Sequence, residues 1–124
     1  MRHDAADRKS LGKKGEDIAC KALKKDKYRV VEKNYRCRQG EIDIIAEDKK
    51  GVMCFVEVKA RSRDDFGLPE EAVTRRKQGR IQAAAYSYIE SKEIKPRAMR
   101  FDVVSVDLTS NQARIIKNAF EADM

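Results

Sequence analysis

Between Gly40 and Ala60 the sequence GEIDIIAEDKKGVMCFVEVKA places two stretches rich in Ile, Val and Phe on either side of Asp48-Lys49-Lys50-Gly51. A three-residue loop, Lys49-Lys50-Gly51, with the glycine in the left-handed bulge position, closes a hairpin and pairs Asp48 with Val52. Counting back through that register sets Asp43 opposite Glu57 and Glu41 opposite Lys59. Because side chains alternate along a strand, these four fall on one face, while Ile42, Ile44, Val56 and Val58 fill the other. Few arrangements tolerate two carboxylates directly across a strand pair, because like charges placed there repel.

The rest of the chain builds around this hairpin. From Ser10, a candidate N-cap, to about Asp26, the positions Leu11, Gly15, Ile18, Ala19, Ala22 and Leu23 recur at helical spacing. Lys13, Lys14, Lys21, Lys24 and Lys25 gather on the opposite face, and Glu16 sits at the edge of the apolar stripe, turned toward the sheet. Strands are expected over Tyr28 to Arg36, Glu41 to Glu47, Val52 to Ala60, Arg100 to Leu108 and Arg114 to Ala119. A loop from Ser62 to about Val73 leads to Thr74, the N-cap of a second helix with the stripe Ile81, Ala84, Ala85, Tyr88 and Ile89, and Pro96 lies past its exit. The order αβββαββ argues for a mixed sheet flanked by helices, in one domain spanning 1–124 with residues 1–9 frayed.

Charge and cysteine usage narrow the function classes. Lys and Arg number 28 against 21 Asp and Glu, a formal net charge of +7, so the field favours a polyanion such as nucleic acid. Cys20, Cys37 and Cys54 never approach Cys-x-x-Cys spacing, which excludes a zinc finger and suits reduced thiols in the cytoplasm. No leader-like apolar segment and no membrane-length run is present. His3 is the only histidine and lies in the polar terminus, so Ser/His/Asp and Cys/His mechanisms are excluded. Enzymatic chemistry here falls to carboxylates and a metal.

Two readings of the charged strand face compete. In one, Glu41 and Lys59 form a cross-strand ion pair while Asp43 and Glu57 face water. In the other, Asp43 and Glu57, with a backbone carbonyl from the intervening Val58, hold Mg²⁺ or Mn²⁺, and Lys59 points an ammonium into the same spot. Arg75, Arg76, Lys77 and Arg80 crowd the first turns of the second helix, where the helix dipole disfavours cations and an anionic ligand would offset that cost. Arg61, at the end of the ExK strand, joins them as a candidate nucleic-acid contact. Gln78 lies on the inward stripe, from which it reaches either the carboxylates or a neighbouring loop.

GEIDII, with FVEVKAR fourteen residues on from Asp43 to Glu57, resembles the D…ExK signature of the PD-(D/E)xK nucleases. GKKGEDIA, NYRCRQGEIDIIAED, FVEVKARS, FGLPEEAV and RKQGRI together resemble the bacterial YraN-like family, distant relatives of archaeal Holliday junction resolvases. Ile42 replaces the proline of the superfamily's name. The resemblance implies a restriction-endonuclease-like α/β fold with a central mixed sheet. It implies that Asp43 and Glu57 ligate a divalent metal, that Lys59 assists the attacking water, that Glu16 is an auxiliary ligand or positions water, and that Gln78 supports the site. It further implies a metal-dependent endonuclease acting on branched or otherwise structured DNA, ahead of RNA, with a homodimer required if the substrate is a four-way junction. The rival is a non-catalytic nucleic-acid-binding module that keeps the nuclease fold.

Overall fold

In the computed structural model the described residues are 5–62 and 73–121, with side chains described from residue 12 onward. The FGLPEEAV block, apart from Val73, lies outside them. The elements are α1 (Ala5–Lys25), β1 (Arg29–Cys37), β2 (Gly40–Glu47), β3 (Met53–Arg61), α2 (Arg75–Ser91), β4 (Met99–Asp107) and β5 (Gln112–Phe120). The αβββαββ order expected from the sequence is the observed one, and the sheet is mixed and flanked by helices, as expected. Helix α1 starts earlier than expected, so Ser10 lies inside it and does not cap it, and residues 5–9 form its opening turns. The strong helix propensity of Ala5 and Ala6 outweighs the capping signal of a serine. Thr74 does cap α2, its Oγ1 accepting from the Lys77 amide at 3.2 Å.

The strands run in the order β1-β2-β3-β4-β5, antiparallel throughout except for the parallel pair β3–β4, which α2 connects. The helices cover opposite faces. Ala19, Cys20 and Leu23 of α1 pack on Ile44, Cys54, Val56 and Val104, whereas Ile81, Ala85 and Tyr88 of α2 pack on Ile42, Phe55, Phe101 and Val103. A sheet buried on both sides explains why MCFV of β3 and FDVV of β4 read as unbroken runs instead of alternating ones. No helix among the described residues is long and apolar enough to cross a membrane.

The β2–β3 turn is built as expected. Gly51 takes φ +82°, and Asp48 Oδ1 accepts from both Lys50 N and Val52 N at 2.9 Å. Beyond it lies a buried polar network that the sequence reading did not anticipate. Asp102, 0% exposed, accepts from Arg100 Nε at 2.8 Å, from Tyr28 Oη at 3.2 Å and from the Asn118 amide at 2.9 Å. Arg100 also reaches Asp48 Oδ2 at 3.1 Å. A buried carboxylate is stable only when paired and hydrogen-bonded, and here its partners tie the α1–β1 connection, β4, β5 and the hairpin turn together. The Asn118 amide is freed by the irregular β4–β5 register between Phe101 and Val103.

Gly15 sets how closely α1 approaches β3. A Cβ at this position would lie 2.7 Å from Ala60 Cβ, a separation that real side chains do not adopt. Gly15→Ala should therefore push the helix off the strand and cost roughly 1–3 kcal/mol, as overpacking does. Urea unfolding checks this, and a stability equal to that of the parent chain would show that helix and sheet yield freely at this contact.

Candidate active site

Strand β2 stays paired with β3 from Glu47↔Met53 through Ile44↔Val56, and there the recorded pairing ends. Extending the register would set Asp43 across from Glu57 and Glu41 across from Lys59, as the sequence predicts. Instead, the Asp43 carboxylate reaches over and accepts from the Val58 amide at 2.8 Å. The alternation breaks with it. Ile42 packs in the α2-side core and Ile44 in the α1-side core, so the expected common face for Ile42, Ile44, Val56 and Val58 does not form. Glu41 correspondingly pairs with Arg36 of β1, at 3.2 Å, and not with Lys59.

The separation leaves the two carboxylates between a pair of clefts that share Glu41 at their rim. On the α1 side a cleft of about 840 Å³ is lined by Glu16, Asn34, Glu41, Asp43, Val58 and Lys59, among others. On the α2 side a cleft of about 520 Å³ is lined by Glu57, Thr74, Arg76, Lys77 and Arg80, with Gly40 at its edge. The floor of β2 can pass under α2 because residue 40 is glycine: a Cβ there would stand 3.0 Å from the Arg80 carbonyl oxygen. These clefts open at the carboxyl ends of the parallel strands β3 and β4, where open α/β sheets characteristically bind ligands.

Glu57 is 7% exposed and has two ammonium neighbours, Lys77 Nζ at 2.6 Å from Oε1 and Lys59 Nζ at 3.8 Å. Half-buried Asp43 has its carboxyl pushed up to about 7, chiefly by burial and next by the negative charge of Glu57, with the Val58 amide opposing. Burial, and then the neighbouring Lys77, holds Lys59 below the ordinary lysine range. For Lys77, burial is the largest single influence and acts downward, but the hydrogen bonds to Glu57 and Lys59 together with the charges of Glu57 and Asp43 outweigh it and the net shift is upward. Two carboxyls and two ammoniums thus converge in a low-dielectric cleft, each perturbing the other.

The remaining expected residues divide. Glu16 comes to the wall of the α1-side cleft, where its Oε1 accepts from Asn34 Nδ2 at 2.8 Å. It does not join the pair: no three His, Cys, Asp or Glu side chains among the described residues converge on one point. Gln78 turns to the loop, donating to the Val73 carbonyl at 2.9 Å, and lines neither cleft. Arg76, Lys77 and Arg80 line the α2-side cleft, while Arg75 is exposed outside it. Arg61, at the end of β3, keeps a buried Nε without a hydrogen-bond partner. Sequence reasoning missed the contact of Lys77 with Glu57 and the role of Asn34. Lys77 had a signal, being a cation in the first helical turn where the dipole opposes it; Asn34, in the left-handed region at φ 55°, had none beyond its place in the NYR block.

A family model described as "Uncharacterised protein family UPF0102" matches residues 15–106. The chain belongs to that family. The match takes in the second half of α1, all of α2 and strands β1 to β4 up to Val106. A UPF0102 protein of Clostridium perfringens is 45% identical over 116 residues, covering 90% of this chain and 94% of the relative. One from Geotalea uraniireducens is 46% identical over 121 residues, covering 95% and 94%. One from Syntrophus aciditrophicus is 48% identical over 112 residues, covering 89% and 87%. Among solved structures, a fdxN element excision controlling factor protein from Anabaena variabilis overlays with a TM-score of 0.41 at 14% identity, covering 84% of this chain and 98% of that one.

The strained carboxyl pair gives a pH-dependent prediction. The Asp43 carboxyl ionises near 3.8 when unfolded and near 7 when folded, so the folded state holds the extra proton between those values and stability falls as pH rises through that window. Asp43→Asn retains an oxygen for the Val58 amide but removes the ionisation. In EDTA it should be more stable than the parent at pH 8, by something on the order of 1–4 kcal/mol, with the difference closing below about pH 4. Urea titrations at the two pH values decide it, and identical curves at pH 8 would mean that the pair carries no strain.

Proposed function

We propose that this UPF0102 protein is a metal-dependent nuclease that hydrolyses phosphodiester bonds in DNA, with branched or structured DNA the favoured substrate and RNA second. The observation that carries this reading is the meeting of Asp43 and Glu57, forced together at the parting of β2 and β3 with Lys59 beside them. A pure binding module gains nothing from two carboxyls aimed where a phosphate backbone would lie.

The donor set fits Mg²⁺ or Mn²⁺. Mg²⁺ is commonly held by one or two protein carboxylates and completes its shell with waters and substrate phosphate oxygens, so two carboxylates suffice even with no third converging side chain among the described residues. Asp43 and Glu57 would hold the ion, with the Val58 main chain facing the same space. When bound, it would neutralise the pair and act as a Lewis acid toward a phosphodiester. Lys59 supplies three N–H donors on a short tether from the same strand. It would hold the attacking water and neutralise charge developing on the phosphoryl oxygens. Lys77, already on Glu57, keeps the resting site near neutrality and would turn to the phosphate once its carboxylate is otherwise engaged. Glu16, held by Asn34 on the opposite wall, would orient water entering from the α1 side. Arg76 and Arg80 border the α2-side cleft with N–H groups suited to backbone phosphates.

End-labelled four-way junction, flap, single-stranded and linear duplex DNA, incubated with Mg²⁺ or Mn²⁺ and separately with EDTA, test the reading in one gel. Cutting should require the metal, vanish in Glu57→Ala and drop by roughly 10²–10³-fold in Lys59→Ala. Cleavage that persists in both variants would place the chemistry elsewhere. Binding without cleavage on any substrate would leave a nucleic-acid-binding module.

A further inference from the structure

We infer that the groove between α1 and the β4–β5 turn is a second nucleic-acid contact surface, which carries the DNA backbone away from the carboxylate site. The groove holds about 820 Å³ and is distinct from the two clefts at Asp43 and Glu57. One wall is a row of α1 lysines, Lys13, Lys14, Lys21 and Lys25, all exposed, with Asp17 the single acid among the lining residues. The other wall presents the amides of Asn111 and Gln112.

Three observations point to a phosphate backbone as the occupant. The first is that these four lysines have no ion-pair partner among the described residues. Set against Asp17 alone, they leave the concavity net positive, which focuses field toward a polyanion. The second is spacing. Lys14, Lys21 and Lys25 lie on one side of the helix and span about 16 Å along its axis, close to the axial rise of about five nucleotides on one strand. The third is continuity. Lys13 and Asp17 line both this groove and the α1-side cleft that contains Asp43 and Lys59, so a strand entering the cleft can pass over that turn of α1 into the groove. The continuity rests on the nuclease reading; the binding surface itself does not.

Fluorescence anisotropy with labelled duplex and four-way junction DNA, in EDTA so that nothing is cut, tests the groove over a salt series. The Lys14→Gln/Lys21→Gln/Lys25→Gln variant keeps helix propensity at exposed positions. Its control, Lys49→Gln/Lys50→Gln/Lys95→Gln, removes the same net charge at exposed sites away from the groove. The groove variant should bind at least about tenfold more weakly near physiological salt and lower the slope of log K against log salt by about 2 to 3, while the control stays within about twofold. Equal losses in both variants would overturn the groove and leave any Glu57-dependent cleavage untouched. A parent chain that binds no DNA at low salt would overturn it as well. So would a groove variant that loses anionic phosphatidylserine vesicles but not DNA, since the phosphate recognised would then belong to a lipid. Retained DNA binding loss in a chain that never cuts would support the groove and sink the nuclease reading alone.

Discussion

The contact between the Asp43 carboxylate and the Val58 amide governs the arrangement of everything around it. Up to Ile44 the β2–β3 hairpin is an ordinary ladder with its outer faces buried under two helices. Past that point a side chain takes up a main-chain donor, so β2 can leave the sheet's regular course without abandoning a buried amide, whose loss would cost about 1–3 kcal/mol. The departure carries Ile42 into the opposite core layer and brings Asp43 against Glu57. The same contact that satisfies the backbone thus creates the electrostatic conflict, and a site with unspent attraction for cations is the result.

Two strands over from Asp43 the chain solves the opposite problem. Asp102 is more deeply buried than Asp43, yet it is surrounded by donors from Arg100, Tyr28 and Asn118, and Arg100 continues to Asp48. One carboxylate is saturated and fixes four elements; the other is crowded by a like charge and left short of partners. A fully satisfied polar network specifies geometry, whereas a conflicted one stores potential for a ligand. Asp102 lies across from Val56, the neighbour of Glu57 in β3, so the satisfied network borders the conflicted one and holds its strand in place.

Much of this was legible in the residues. Element order, the glycine turn at Gly51, the Thr74 cap and the approach of Gly15 to the sheet all follow from local rules acting within a few positions. The nearness of Asp43 to Glu57 was legible as well, because a hairpin's register is fixed by its turn, although the pairing itself stops one position short. The phase change at Asp43 was not: period-two alternation assumes continued pairing, and only tertiary packing on both faces reveals where pairing stops. For the same reason Lys77 read as one cation in a row of four. Its reach to Glu57 depends on how α2 crosses the sheet, which no single-strand pattern encodes. Asp102 was hidden because an isolated acid in an apolar strand carries no mark of the arginine, tyrosine and amide that will meet it.

The single parallel pairing in the sheet also has a kinetic meaning. The strands β1, β2 and β3 form a local meander, and β4 with β5 forms a local hairpin, so each half closes short loops. Only the β3–β4 seam joins them, and it must wait for the connection containing α2 to be ordered, with the greater loop-closure entropy that implies. Glu57 and Lys59 lie on the seam strand, and Lys77 on the helix that closes it. Lys77 therefore reaches Glu57 only with the least local step of folding, so a partly folded chain would hold Asp43, Glu57 and Lys59 together on their hairpin without the second ammonium.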